Sequence, residues 1–172
     1  MPDKRNERVI ISDTSCLISL TNINRLDLLQ KTYNEIIVTP EVAKEYGTPL
    51  PIWIKVMPVK NRARISEIHK NLDLGESSAI ALAYETENPI LVIDETKARK
   101  YARSHGFEVT GTIGVITRAY DKGYIENPDE VIKLIQQLRS NNFRIGNGVI
   151  ENVKSQINPR KNNSRGDPGM GR

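Results

Sequence analysis

Val9-Ile10-Ile11-Ser12-Asp13-Thr14-Ser15-Cys16-Leu17-Ile18 sets one carboxylate between two apolar runs. The first run, Val9 to Ser12, is short, continuous and rich in β-branched residues, as in a strand buried on both faces. Asp13, Thr14 and Ser15 are good helix starters, and Cys16-Leu17-Ile18 with Leu20 continue as a helix. A strand running straight into a helix is half of a βαβ unit. The acid between them needs a reason, because a buried, unpartnered carboxylate costs several kcal/mol or takes up a proton. Asp13 therefore either turns outward at a chain reversal or faces a cation.

The same unit recurs outward from this stretch. Leu26, Leu28 and Leu29 predict a short helix and Ile36-Ile37-Val38 a second strand. Thr39-Pro40 reads as an N-cap with proline in the first turn, opening a helix through Tyr46 that stops at Gly47. Ile52 to Val56 is strand-like, and a basic, weakly helical stretch follows from Arg62 to Lys70. Gly75 to Thr86 is the clearest helix and Ile90 to Ile93 the clearest buried strand. Glu95 to Ser104 predicts a helix closed by Gly106, Phe107 to Val109 a strand, and Thr112 the cap of a helix through Lys122. Pro128 opens one more helix, to Arg139, and Val149 to Ile157 has helical spacing. Strands alternating with helices predict an α/β fold: a central parallel sheet with helices on both faces, in three layers, plus extra C-terminal helices.

The 172 residues suit one domain over 9–157, with a polar lead over 1–8. Past Ile157 the composition turns to Asn, Gly, Pro, Ser and Arg, which predicts a disordered basic tail over 158–172. That tail carries +3 of the net +4, through Arg160, Lys161, Arg165 and Arg172 against Asp167. The body is nearly neutral, so global basicity says little about nucleic acid. No apolar run approaches a membrane span, and the N-terminus lacks the apolar centre of a signal peptide. One cysteine and two histidines exclude an intrachain disulfide and argue against a Cys/His zinc site. Together these point to a cytoplasmic protein that needs no membrane.

Two predicted strands end in an acid, Asp13 and Asp94. In open parallel sheets ligands bind beyond the C-terminal strand ends. If the two strands are neighbours the carboxylates converge, and a hard divalent cation is a natural counter-charge. Read singly, each Asp is equally an N-cap. Glu76, in the first turn of its helix, shares a face with Ile80 and Ala83 and is either an inward carboxylate or a helix-dipole residue. Glu41 and Glu45 sit one turn apart, and pattern alone does not choose between them. Lys97, Arg99 and Arg103 follow Asp94, and Arg62 and Arg64 precede the Glu76 helix. These are candidate phosphate contacts or simply solvated faces.

Taken in order, strand-Asp13-Thr14-Ser15, Thr39-Pro40-Glu41-Val42-Ala43-Lys44-Glu45, Gly75-Glu76-Ser77-Ser78-Ala79-Ile80-Ala81-Leu82-Ala83, Leu91-Val92-Ile93-Asp94 and Thr110-Gly111-Thr112 resemble the PIN-domain nucleases. The subgroup suggested is the one related to VapC-type toxins of toxin–antitoxin pairs. The resemblance implies a PIN-like fold and a metal-dependent ribonuclease using Mg²⁺ or Mn²⁺. It implies a catalytic and metal-binding quartet of Asp13, Glu45, Glu76 and Asp94, choosing Glu45 over Glu41. Thr14 and Thr112 would support the quartet, and Arg99, with Lys97, Arg103, Arg62 and Arg64, would bind RNA. A small antitoxin protein and a second copy of the chain are the implied protein partners. The sequence departs from the pattern at Glu76, where many relatives carry Asp, and at Val92, where many carry Thr or Ser. An inactive PIN-fold binding module is the alternative reading.

Overall fold

The computed structural model describes residues 8–163. In chain order it forms β1 (Val9–Ser12), α1 (Thr14–Asn22), α2 (Asp27–Thr32), β2 (Glu35–Val38), α3 (Pro40–Tyr46), β3 (Ile54–Val56) and α4 (Arg62–His69). There follow α5 (Leu74–Tyr84), β4 (Pro89–Val92), α6 (Thr96–Ser104), β5 (Glu108–Thr110), α7 (Thr112–Asp121), α8 (Pro128–Ser140) and α9 (Val149–Asn163). All strand pairs are parallel, in the order β3-β2-β1-β4-β5. The register sets Ser12 beside Val92, so β1 and β4 end level.

Alternation along each strand divides the core in two. Ile10, Ile36, Val38, Ile90 and Val92 face one side, packed with residues of α1, α2, α7, α8 and α9. Ile11, Ile37, Leu91 and Ile93 face the other, against α4, α5 and α6. This is the expected three-layer α/β/α arrangement with extra C-terminal helices. From β1 the sheet grows one way through β2 and β3 and the other way through β4 and β5. The β1/β4 junction is thus the switch point, where chain ends splay and leave a crevice.

The local stops follow the predicted chemistry. The Thr39 hydroxyl accepts the Val42 amide at 3.1 Å, Pro40 opens α3, and Gly47 closes it at φ 78°, a left-handed value suited to glycine. Two local readings are corrected. The strand begins at Ile54, not Ile52, because the Ile54 amide donates to Pro51 O in a turn that leaves Ile52 fully exposed. The N-cap of α7 is Gly111, because the Thr112 hydroxyl is turned to Asp94 instead. Helix α9 runs to Asn163, past the predicted end at Ile157. Most of the N-terminal lead and residues 164–172 of the tail lie outside the described residues. Among the described residues no helix is long and apolar enough to cross a membrane.

Candidate active site

Neighbouring strands bring the two strand-end acids together. The Asp13 amide donates to Val92 O at 3.0 Å, which ties the start of α1 to the end of β4, two residues before Asp94. Asp13 is both an N-cap and a cleft residue. Its Oδ1 accepts the Cys16 amide at 3.1 Å, and Ser15 Oγ donates to both carboxylate oxygens. It is only 2 % exposed. Burial first, and then the facing Asp94, push its pKa up to about 8.

Asp94 is held by one residue twice over. The Thr112 amide donates to Oδ1 at 2.7 Å and the Thr112 hydroxyl to Oδ2 at 2.6 Å. Burial raises its pKa against those two bonds and against Arg99. Arg99 lies beside it, with Nη1 donating to Ile93 O at 2.8 Å. Gly111 makes room for the pair, since a Cβ there would fall 2.7 Å from both Arg99 Nη1 and Asp94 Oδ1. Val92, fully buried in β4, offers Asp94 no hydroxyl; Thr112 supplies one from the other side.

The two glutamates come from α3 and α5. These helices pack together, with the Thr39 and Ser78 hydroxyls 2.7 Å apart between them. Glu45 is exposed at the cleft, and its Oε2 accepts the Thr14 hydroxyl at 2.7 Å. Its carboxylate lies against the first turn of α5, where a Cβ on Gly75 would approach Oε2 to 2.6 Å. Glu76 closes a capping box, its Oε2 accepting the Asp73 amide at 3.3 Å. Burial, and to a lesser degree Asp73, Glu95 and Glu45, raise its pKa to about 7. Asp13, Thr14, Glu45 and Glu76 thus line one cleft of about 310 Å³ with Ser15, Ile18 and Asp73. Glu41 stands apart, paired with Arg62 at 2.7 Å.

The basic candidates separate. Arg99 is at the acids. Lys97 and Arg103 are exposed on α6, with Arg103 a turn further from Asp94 than Arg99. Arg62 is engaged with Glu41, and Arg64 lies 4.2 Å over the Tyr84 ring at the far end of α5 from Glu76. The α8–α9 loop contributes what the sequence did not suggest. Asn141, Asn142, Phe143 and Arg144 line a hollow of about 490 Å³ with Asp94 and Glu95. Phe143 and Arg144 also line a second hollow with Asp94 and Arg99. No spacing or motif in Asn-Asn-Phe-Arg marks this loop; its position depends on how α8 packs.

Among the described residues no three Asp, Glu, His or Cys side chains stand close enough to hold a metal as placed. Each acid instead accepts a protein donor. The donor chemistry nonetheless fits a hard divalent cation: the ligands are all carboxylate oxygens. Burial, more than the neighbouring acids, raises the pKa of three of the four above the ordinary carboxylate range.

A family model described as DUF3368: PIN domain matches residues 9–159, the whole sheet and its helices through most of α9. No curated protein and no solved structure matches the chain.

Proposed function

The chain belongs to the PIN-domain family, a nuclease-type fold, and from that premise we propose that its acidic cleft hydrolyses RNA phosphodiester bonds with Mg²⁺ or Mn²⁺. One observation carries the reading: Asp13 and Asp94 stand side by side at the β1/β4 switch point, with Glu45 and Glu76 around the Asp13 cleft. Four acids without a cation repel a phosphodiester, so the cation belongs to the proposal. Its contribution is Lewis-acid activation of water and neutralisation of phosphate charge. Asp13 and Asp94 would hold it, with Glu45 and Glu76 completing the set. Thr112 fixes the Asp94 carboxylate and Thr14 the Glu45 carboxylate, so neither must be ordered when substrate arrives. Arg99 and Arg144 flank Asp94 and are placed to meet substrate phosphates.

The biological role we propose is that of a toxin in the cytoplasm, restrained by a small antitoxin. Ile18 and Leu74, 41 % and 40 % exposed beside the acids, give such a partner an apolar rim. A basic side chain of the antitoxin would enter the cleft itself.

The test is cleavage of a mixed pool of structured and single-stranded RNA by purified protein, with Mg²⁺, Mn²⁺ or EDTA, beside Asp13→Asn. Cleavage that needs metal and fails in the variant supports the nuclease. Metal binding without cleavage of any pool turns the reading to the inactive binding module.

Two substitutions probe the surroundings. Gly75→Ala places a methyl against a flexible carboxylate, so Glu45 turns aside and the fold stays intact. Activity should fall by about tenfold to a hundredfold with the melting temperature nearly unchanged; normal activity would remove Glu45 from the machinery. Arg144→Ala should weaken RNA binding and lower the slope of log affinity against log salt by about 0.7 to 0.9, the loss of one phosphate contact. An unchanged slope would leave Arg144 a bystander.

A further inference from the structure

At the opposite end of the strands, the starts of β1 and β4 and the ends of α2 and α7 surround a smaller cavity, of about 120 Å³. Arg8, Thr32, Tyr33, Asn34, Arg118 and Lys122 line it. Thr112, which holds Asp94, and Lys122 lie at the two ends of α7, about 15 Å apart at 1.5 Å per residue. The cavity is therefore separate from the acids.

We propose that this cavity binds a phosphate group. Its charge is the first ground. Arg118 and Lys122 lie four residues apart on α7, where like charges destabilise a helix. Both stand over the Tyr33 ring, at 5.8 and 5.7 Å. Among the described residues neither forms an ion pair with a carboxylate. Arg8 is different: Glu108 neutralises it at 2.7 Å and the Asn88 carbonyl oxygen holds it in place. The dipole of α7 favours cations in its last turn. It does not account for both of them gathering on one buried ring.

Unused donors are the second ground. Thr32 is 1 % exposed, and its Oγ1 has no hydrogen-bond partner. Buried hydroxyls are nearly always paired. Lys122 Nζ spends one proton on Thr32 O and keeps two. Burial raises the Tyr33 pKa to about 12, so its hydroxyl stays a donor at neutral pH. Lys122 is exposed on one side, and partial desolvation first, and then Arg118, lower its pKa.

Size is the third ground. Sites for drug-sized ligands start near roughly 300 Å³. A cavity of about 120 Å³ takes a tetrahedral oxyanion but not a nucleoside. The phosphate is either free in solution or a phosphodiester of a strand that reaches past the sheet.

Calorimetry of the full chain with inorganic phosphate tests this, with chloride at equal ionic strength as control. Saturable binding is expected, weakened at least about tenfold in Arg118→Gln and in Lys122→Gln, and kept in Lys122→Arg, which preserves the charge. Phosphate should also raise the melting temperature of the parent more than that of the two Gln variants, which separates occupancy from general salting-out. A long single-stranded RNA and a dinucleotide distinguish the sources. A strand phosphodiester predicts that Arg118→Gln flattens the salt slope for the long RNA alone. Free phosphate predicts no change for either. Non-saturable heats, or equal binding by parent and both Gln variants, would overturn the proposal. Either outcome is independent of the acids, since it is read without cleavage.

Discussion

Asp94→Asn is expected to cut metal-dependent RNA cleavage by at least about a thousandfold while leaving the fold intact. The substitution keeps every local bond. Asn Oδ1 accepts the Thr112 amide as Asp94 Oδ1 does, and Asn Nδ2 donates to Thr112 Oγ1, whose hydroxyl rotates to accept. What disappears is one negative charge, on the partly buried Asp94 between the buried Asp13 and Arg99. Without a cation that charge repels Asp13, so the variant should melt at the same temperature as the parent or higher. A loss of activity accompanied by a large loss of stability would mean that Asp94 is structural. Full activity in a preparation free of contaminating ribonuclease would remove it from catalysis.

The second large effect is on stability against pH. Asp13 has a folded pKa of about 8 against an ordinary 3.8, and Glu76 about 7 against 4.5. Both are raised, so the folded protein binds protons that the unfolded chain has released. The stabilisation is complete below about pH 4 and is lost as pH rises through about 7 to 8. For Asp13 alone this amounts to on the order of 5 kcal/mol across the window. Metal-free protein should therefore become less stable between mildly acidic and mildly alkaline pH. Asp13→Asn should flatten most of that slope, because the amide keeps an acceptor for the Cys16 amide and carries no charge. Mn²⁺ should restore stability at the alkaline end, where it has fewer protons to displace. Denaturant melts across the range, with and without Mn²⁺, read all three. A slope unchanged by Asp13→Asn would mean that the acid is solvated and the cleft open.

The elements that were legible in the sequence are those whose signal is local. Val9 to Ser12 and Ile90 to Ile93 are continuous apolar runs because both faces of a parallel strand are covered. Thr39-Pro40 and Gly47 bracket α3 because capping and left-handed closure each need particular residues. Tertiary features were harder to read. Whether Asp13 meets Asp94 depends on β1 lying beside β4, which crossovers decide and neither strand's residues reveal. Glu41 and Glu45 look alike along α3. Only the neighbours of α3 separate them: Glu41 meets Arg62 of α4 and Glu45 meets Thr14 of α1. The basic run from Arg62 gave charge but not direction, and Arg64 is turned to Tyr84. Thr112 looked like a cap because threonine is a good one. The free carboxylate of Asp94 was the stronger claim on its hydroxyl. The quartet was assembled from a resemblance, and the structure then shows Asp13, Glu45 and Glu76 on one cleft with Asp94 beside Asp13.

On the proposed function the acids exchange protons for a cation. Calorimetric titration of the metal-free protein with Mn²⁺ near neutral pH, in two buffers of different ionisation heat, measures it directly. The Asp13 and Glu76 values predict binding with release of roughly one and a half protons, and Asp13→Asn should lose most of the affinity and most of the release. No Mn²⁺ binding by the folded protein, from mildly acidic to mildly alkaline pH, would contradict it.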